Sequence, residues 1–328
     1  MKRYGYYILM VTMLLTVACR SAWINTKPNS KTVVARHGQL RVSGTALVDA
    51  HADTLAFHGV SLGWHNWWPR FYTAETINWL KKDWNVRVVR AAIGVEPDQA
   101  YLQNPEAALK QLYAVVDAAI AAGVYVIVDW HAHHLHTQQA KEFFRTVASK
   151  YGRYPNVIYE IFNEPMETSW DEIQAYAKEV IPVIRAIDPD NIILVGCPNW
   201  DQDIHLVADN PIEGFSNLMY TVHFYAGTHK QFLRDRADYA LAKGIPIFVS
   251  ECAGMNADGD GPIDQKEWTI WKEWMAQHQI SWIAWSIADK NESCSMIADQ
   301  LVPANGWSDK QLKPWGKMVR QDLKTINK

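Results

Sequence analysis

The chain has 328 residues, of which 48% are hydrophobic and 20% charged, and this composition predicts one large folded domain rather than a disordered chain. The formal net charge is -3, so the sequence has no electrostatic footprint for a nucleic-acid partner. Sixteen Trp and fourteen Tyr make the chain rich in aromatic rings. Because Trp is rarely fully buried, we expect some rings at the surface, where they suit flat apolar faces such as those of sugars.

The N-terminus resembles an export signal. A basic start at residues 1–3 precedes an apolar run over residues 8–18 that is too short to span a bilayer. Residues 15–19 resemble a bacterial lipoprotein box, although Thr16 stands where an aliphatic residue is usual. We predict a signal peptide over residues 1–19, removed either with lipidation of Cys19 or by ordinary cleavage nearby. The protein is then an envelope lipoprotein or secreted, and touches a membrane only through that lipid.

The next segment, residues 20–36, is polar and lacks periodicity, which is typical of a linker. Residues 37–328 then form a single domain. Its first part, Leu40 to Leu55, is predicted to be a small β-hairpin that closes one end of the fold.

Short β-rich runs alternate with amphipathic helical stretches through the rest of the chain. One helix is predicted to open at Asn104 and Pro105 and to end at Gly123, and Ser169 with Glu172 forms a capping box for another. Eight runs are predicted to be strands: Ala56–Val60, Val86–Ala91, Val124–Asp129, Val157–Ile161, Asn191–Val195, Leu218–His223, Ile247–Ser250 and Ser281–Trp285.

Eight strand-helix repeats with apolar strands favour a parallel sheet covered by helices, most simply a closed (β/α)8 TIM barrel. A doubly wound open sheet is the structural alternative. It is disfavoured because no glycine-rich phosphate loop follows the first strand.

Polar residues stand at the carboxyl ends of these strands, where a barrel of this kind forms its active site. Two of them, Glu164 and Glu251, follow separate apolar strands. Cleaving a glycosidic bond needs one acid to protonate the leaving oxygen and one carboxylate to attack. Each polar residue taken alone could be structural, but their joint position at the same ends favours catalysis.

The segment Val157–Pro165, with Asn163 and Glu164, resembles the acid/base signature of glycoside hydrolase family 5, the endoglucanase family. Further segments occur in the family's order: Arg90–Ala92, Asp129–His131, His223–Gly227, Phe248–Glu251 and Trp285–Lys290. The resemblance covers about Leu40 to Asp322. It implies a β-1,4-glucanase that retains the anomeric configuration through a covalent intermediate and needs no cofactor or metal.

The resemblance also implies residue roles, with Glu164 as acid/base and Glu251 as nucleophile. Asn163 would bind the 2-hydroxyl of the sugar at the cleavage site. Arg90 and Tyr225 would orient the nucleophile. The other predicted substrate-binding residues are His131, His223 and the platform Trp285 at that sugar, and Trp67, Trp200 and Lys290 for sugars further toward the non-reducing end.

Two departures from the family pattern concern the first and seventh strands. Many bacterial members have a His where Gly63 aligns, and we expect His65 to supply that imidazole. The run Gly63–Trp68 resembles a variant of Bacteroidetes-type enzymes. After the nucleophile, Cys252 replaces the usual Trp.

Cys252 and Cys294 fall in loops after the last two strands, and an exported protein permits disulfides, so we predict that these two cysteines pair. Cys197 would then be a free thiol.

Two alternative functions remain open from the sequence. His131, His133, His134 and His136 form a dense run, and His-x-His after a barrel strand begins the site of several metal-dependent hydrolases. A non-catalytic sugar-binding barrel is the other alternative, disfavoured because both glutamates are present. The preferred partner is a β-1,4-glucan, bound by a monomer; another β-glucan or mannan is the alternative substrate.

Overall fold

The computed structural model describes Met1, residues 32–298 and residues 302–328. Cys19 and residues 20–31 of the predicted linker lie outside the described residues. Within the described part, no helix combines the length and the apolar character that a membrane crossing needs.

Eight parallel strands form a closed barrel, as predicted, and strands that are consecutive in the chain are neighbours around it. All are almost wholly buried, because each has the barrel interior on one side and helices on the other. The strands are β4 His58–Leu62, β5 Val88–Gly94, β6 Tyr125–His131, β7 Val157–Glu160, β8 Ile193–Val195, β9 Leu218–Tyr225, β10 Ile247–Ala253 and β11 Trp282–Ile287.

Helices connect these strands on the outside of the barrel. The predicted start signals are confirmed: Pro105 is the first residue of its helix, which ends at Gly123 with φ +68°, and Ser169 and Glu172 form the capping box. The helices are α1 Val33–His37, α2 Ala74–Trp79, α3 Pro105–Ala122, α4 Thr137–Tyr151, α5 Trp170–Arg185, α6 Pro198–Asp201, α7 Ile204–Asp209, α8 Gln231–Ala242, α9 Gln265–Gln277 and α10 Pro314–Ile326. Single turns over Pro69–Phe71, Leu80–Trp84 and Asp309–Gln311 complete the connections.

The amino-terminal end of the barrel is closed by a small sheet, of strands β1 Arg41–Ser43, β2 Ala46–Val48 and β3 Thr54–Leu55. The predicted hairpin is therefore three-stranded and antiparallel. Its Leu47 joins an apolar cluster that fills the lower barrel.

The predicted linker extends too far. Residues 33–36 belong to α1, where Val34 is buried and its amide donates to the Gly123 carbonyl. Thr32 caps this helix by accepting from the amide of Ala35. A short helix without a periodic pattern of its own gave the sequence analysis no signal.

Candidate active site

The nucleophile candidate Glu251 lies inside β10, where the parallel register sets it beside His223 of β9. Arg90 Nη1 donates to Glu251 Oε2 at 2.8 Å, and the Tyr225 hydroxyl donates to Glu251 Oε1 at 2.8 Å. Both contacts hold the carboxylate in one orientation, as predicted for Arg90 and Tyr225. Charge-assisted hydrogen bonds of this kind are shorter and stronger than neutral ones.

The acid/base candidate Glu164 follows β7 and is partly open to the cleft. Its Oε1 atom lies 3.0 Å from Nδ1 of His223. One carboxyl oxygen of Glu164 lies within 4.8 Å of one of Glu251. This short separation fits a retaining pair, since an inverting pair needs roughly 6.5–9.5 Å to admit a water molecule.

The charges around the pair shift its titration. Burial and the charge of Glu164 act to raise the pKa of Glu251, and they outweigh Arg90, His223 and Tyr225, which lower it. The pKa of Glu251 therefore lies above its ordinary value. Burial also acts to raise the pKa of Glu164, but His223, His133 and Arg90 outweigh it and leave that pKa below its ordinary value. Taken alone, these two shifts are the opposite of what the roles need, because a nucleophile must be ionised and an acid must hold its proton.

His223 resolves the disagreement. Burial lowers its pKa, but the carboxylates of Asp201, Glu160, Glu164 and Glu251 raise it well above the ordinary value. The proton that Glu164 gives up therefore stays 3.0 Å away on His223, while Glu251 keeps its two donors.

Asn163 is fully buried beside the pair. Its Oδ1 accepts from Arg90 Nη2 at 2.6 Å, and its Nδ2 has no partner in the part of the chain that the structure describes. A buried amide without a partner is costly unless a ligand satisfies it. The unpaired Nδ2 is the donor that the expected bond to a sugar hydroxyl requires, and that role of Asn163 stays a prediction.

Aromatic rings form the floor and wall of the site. Trp285 is nearly buried, and its ring lies parallel to that of His131, with centroids 5.3 Å apart. His131 is held by Asp129, whose Oδ2 lies 2.6 Å from its Nδ1, and Trp64 meets it edge-on at 4.3 Å. Trp64 also lies in the cleft, next to His133, and was not predicted from the sequence.

The cleft extends to both sides of Glu164 and Tyr225. The Trp67 side is lined by Trp64, Trp67, Trp68, Trp285, Glu251 and Lys290. The Trp200 side is lined by Trp200, Gln202, Thr228 and His229. The prediction that Trp67, Trp200 and Lys290 share one end is therefore wrong for Trp200.

The chemistry assigns the two ends. The sugar that Glu251 attacks must lie on the Trp67 side, which contains that carboxylate and Trp285. The leaving group must then extend toward Trp200, on the side that includes Glu164 but not Glu251. Sequence order could not reveal this, because Trp67 stands on a turn and Trp200 in the irregular α6, and the direction of both rings depends on local backbone conformation.

Trp200 is placed by an unusual backbone. Asn199, Trp200 and Asp201 all have φ between +54° and +60°, a left-handed conformation that side chains with a Cβ adopt at a cost. The result is that Trp200 is 40% exposed while the next residue, Asp201, is fully buried under His223.

Comparison with known proteins agrees with this geometry. The family model for cellulase (glycosyl hydrolase family 5) matches residues 48–291. The chain belongs to glycosyl hydrolase family 5. An endoglucanase from Clostridium saccharobutylicum is 39% identical over 98% of this chain and 72% of its own length, and endoglucanase Z from Dickeya dadantii is 44% identical over 86% and 65%. The chain thus spans about two thirds of the length of these curated relatives.

Solved structures support the same assignment. A structure from Cytophaga hutchinsonii has a TM-score of 0.89 and 45% identity, covering 90% of this chain and 98% of that one. The catalytic domain of Thermobifida fusca endoglucanase Cel5A (E5) in complex with cellotetraose has a TM-score of 0.85 and 32% identity, covering 89% and 99%. The chain is therefore a glycoside hydrolase, and the Cytophaga structure supports the Bacteroidetes-type branch.

Two further predicted substrate-binding residues, His65 and Lys290, differ in their access to the cleft. His65 is buried and is not among the described residues that line the cleft. Its Nδ1 accepts from the Gly94 amide at 3.0 Å, and its Nε2 has no hydrogen-bond partner among the described residues. Its role in sugar binding stays a prediction, and burial lowers its pKa to about 4, so that the ring is neutral. Lys290 does line the cleft, where it pairs with Glu292.

The predicted disulfide is also wrong, because Cys252 and Cys294 are both free and buried in the structure. Cys252 lies within β10 rather than in a loop, and its Sγ is 3.4 Å from the Ile283 carbonyl. Cys294 instead faces the cleft, with Sγ 3.2 Å from Glu292 Oε1. Cys197 is free, as predicted.

The histidine run does not converge on a metal site. Among the described residues, the one cluster of three potential ligands is Glu164, His223 and Glu251, which includes neither His131 nor His133. Glu96 Oε1 instead accepts from the amides of His133 and His134 and lies 3.4 Å from His136 Nε2. The run is thus a loop held by one carboxylate beside Glu164.

A layer of buried polar residues, which the sequence did not predict, lies below the catalytic pair. Glu160 accepts from Arg90 Nε at 2.7 Å and from the Ser250 hydroxyl at 2.5 Å. Asp201 accepts from Thr221 at 2.6 Å. A usable signal existed, since Glu160 and Ser250 interrupt otherwise apolar strands.

Proposed function

We propose that the chain hydrolyses internal β-1,4-glucosidic bonds of linear glucan with retention of configuration. The observation that carries this proposal is a cleft that passes the carboxylate pair, with an exposed tryptophan on each side of it: Trp67 is 52% exposed and Trp200 40%. A chain bound on both sides of the pair is cut internally, whereas a pocket closed at one end removes terminal units. The endoglucanase relatives support the same substrate class.

The mechanism follows from the contacts. Glu251 attacks the anomeric carbon from the Trp67 side, and its two hydrogen bonds from Arg90 and Tyr225 keep it ionised and aimed. Glu164 passes a proton to the leaving oxygen and then activates water for the second step. Asn163 Nδ2 is free to bind the neighbouring hydroxyl as the ring flattens.

The test is a product profile on carboxymethylcellulose, barley β-glucan and mannan. We expect viscosity to fall faster than reducing ends accumulate on the first two, and little action on mannan. A higher rate on mannan, or release of terminal units only, contradicts the proposal. A barrel that only binds sugars fails to change any of the three.

We also propose export, with Cys19 lipidated, and a monomeric enzyme; the leader pattern of residues 1–18 supports the first. Labelled palmitate should enter the wild-type protein in a bacterial host but not the Cys19→Ala variant. Secretion of an unlabelled wild type favours ordinary cleavage instead.

A further inference from the structure

A chain of hydrogen bonds connects the acid/base to the layer beneath it. Glu164 Oε1 lies 3.0 Å from Nδ1 of His223. The other ring nitrogen, Nε2, lies 2.9 Å from the Ser250 hydroxyl. Ser250 in turn donates to Glu160 Oε1 at 2.5 Å.

The chain continues to the nucleophile. Glu160 Oε2 accepts from Arg90 Nε at 2.7 Å, and Arg90 Nη1 donates to Glu251 Oε2 at 2.8 Å. Arg90, Glu160 and Ser250 are all fully buried, so no solvent competes for these contacts. The two catalytic glutamates are therefore joined through four intermediate side chains.

The direction of each hydrogen bond can be worked out. Glu160 pairs with Arg90 and only accepts, so Ser250 must give its single hydroxyl proton to Glu160. Ser250 then has only lone pairs for His223, and Nε2 must carry a hydrogen. Asp201 Oδ2, which lies 3.3 Å from Nε2 and accepts from Thr221, favours the same arrangement.

With Nε2 protonated, Nδ1 has two forms. It either accepts a proton from a protonated Glu164 or, as part of an imidazolium, donates one to the carboxylate, and both forms contain the same number of protons. The groups facing His223 are Glu160, Glu164, Asp201, Glu251 and Asp129 on the acidic side and Arg90, His131 and His229 on the basic side. Glu164 additionally faces His133 and Tyr225.

We propose that Ser250 is a positioning residue for the acid, which fixes the hydrogen of His223 on Nε2 so that Glu164 and His223 hold one shared proton for the leaving group. This inference rests on the proposed glycosidase function. In the first step Glu251 forms a bond to the anomeric carbon, and the electron pair of the broken bond stays on the leaving oxygen. That oxygen takes the proton from the Glu164–His223 pair, which recovers one from the attacking water in the second step.

The sign of the pH effect follows. The shared proton is lost as pH rises through the raised pKa of His223, and this loss sets the basic limb of the rate profile. Ser250→Ala removes an acceptor that stabilises the imidazolium, so that pKa falls and the basic limb moves to lower pH. Ser250→Thr keeps the hydroxyl and should restore the profile.

The experiment compares kcat/KM for cellopentaose, whose leaving group needs a proton, with that for dinitrophenyl cellobioside, whose leaving group does not. We expect Ser250→Ala to lose about 10-fold on cellopentaose, the effect of one buried hydrogen bond, and less than about twofold on the activated substrate. Ser281→Ala is the matched control, because Ser281 is a buried serine directly before β11 that accepts from the Phe57 amide at the far end of the barrel. Ser281→Ala should leave kcat/KM for both substrates unchanged.

Equal losses on both substrates with an unchanged pH profile would mean a merely structural role and overturn the proposal, as would no loss at all. If Ser250→Ala does not fold, nitrogen NMR of the His223 ring in wild type decides: a neutral ring with its hydrogen on Nδ1 overturns it. A wild type inactive on cellopentaose instead defeats the proposed function, whatever the NMR result.

Discussion

Arg90 fixes the orientation of Asn163 by donating to its side-chain oxygen at 2.6 Å, which leaves the amide nitrogen without a hydrogen-bond partner among the described residues. An amide held in this way cannot flip. It therefore offers a donor, never an acceptor, to any group that approaches its nitrogen.

This relationship leads to a first prediction. Hydrogen bonds to the 2-hydroxyl strengthen in the transition state, so Asn163→Ala should lower kcat/KM for dinitrophenyl cellobioside by about 100-fold. The 2-deoxy analogue of this substrate lacks that hydroxyl, so Asn163→Ala should lower its kcat/KM little further. A double-mutant cycle with both enzymes and both substrates measures this coupling, and strictly additive losses would exclude the contact.

The two glutamates should respond differently to removal. Glu164→Ala should lose about 10²–10⁴-fold on cello-oligosaccharides but keep glycosylation by dinitrophenyl cellobioside, since that leaving group departs without a proton. Its glycosyl-enzyme should accumulate and be visible by intact-protein mass spectrometry.

Glu251→Ala should be inactive on both substrates, because the first bond cannot form. Azide can enter the vacated space and yield a product of inverted configuration, detectable by proton NMR. The reverse asymmetry would exchange the two roles, and near wild-type rates for both variants would place the catalytic pair elsewhere.

Trp67 and Trp200 should affect opposite ends of the bound chain. Trp67→Ala and Trp200→Ala should each raise KM for cellopentaose by about 10-fold, the loss of one aromatic contact. With reducing-end-labelled cellopentaose, the cleavage position should move in opposite directions for the two variants. Tyr239→Ala, at an exposed ring on α8 that does not line the cleft, serves as the control. A shift in the same direction for both would return Trp200 to the Trp67 side.

Prolonged treatment with a chelator should leave the initial rate unchanged. The carboxylate mechanism needs no Lewis acid, and Asp129 and Glu96 already occupy groups of the histidine run. The rate on soluble glucan before and after dialysis against chelator measures this. A loss that zinc restores would favour the metal-dependent alternative.

The cysteines should be free yet slow to react. Burial raises the pKa of Cys197, Cys252 and Cys294, which lowers the thiolate fraction at neutral pH. Alkylation in denaturant without reductant, followed by peptide mapping, should find all three labelled, whereas the native protein should label slowly. An unlabelled Cys252 and Cys294 together would reinstate the disulfide.

The parts of the site that lie on strands could be predicted from the sequence. Glu251, Arg90 and His223 lie in β10, β5 and β9, and a parallel barrel brings such ends together whatever the loops do. The residues on loops were predicted less well. The position of Trp200 depends on three consecutive residues in the left-handed conformation. None of them is a glycine, so the sequence pattern does not predict that conformation.

Burial explains the other differences. His65 was expected to line the cleft because an imidazole was missing nearby, whereas its ring is buried and its Nδ1 accepts from the Gly94 amide. The disulfide required Cys252 to be on a loop, whereas β10 extends to Ala253.

The way the chain enters the barrel determines how the enzyme is presented. Thr32 and α1 sit against Gly123, which precedes β6 and therefore lies on the face opposite the carboxyl strand ends. A tether that arrives at Thr32 consequently holds the barrel by its closed base. A tether of the proposed kind, attached at Thr32, would leave the open face with its two tryptophans on the side away from the attachment, accessible to a long polymer.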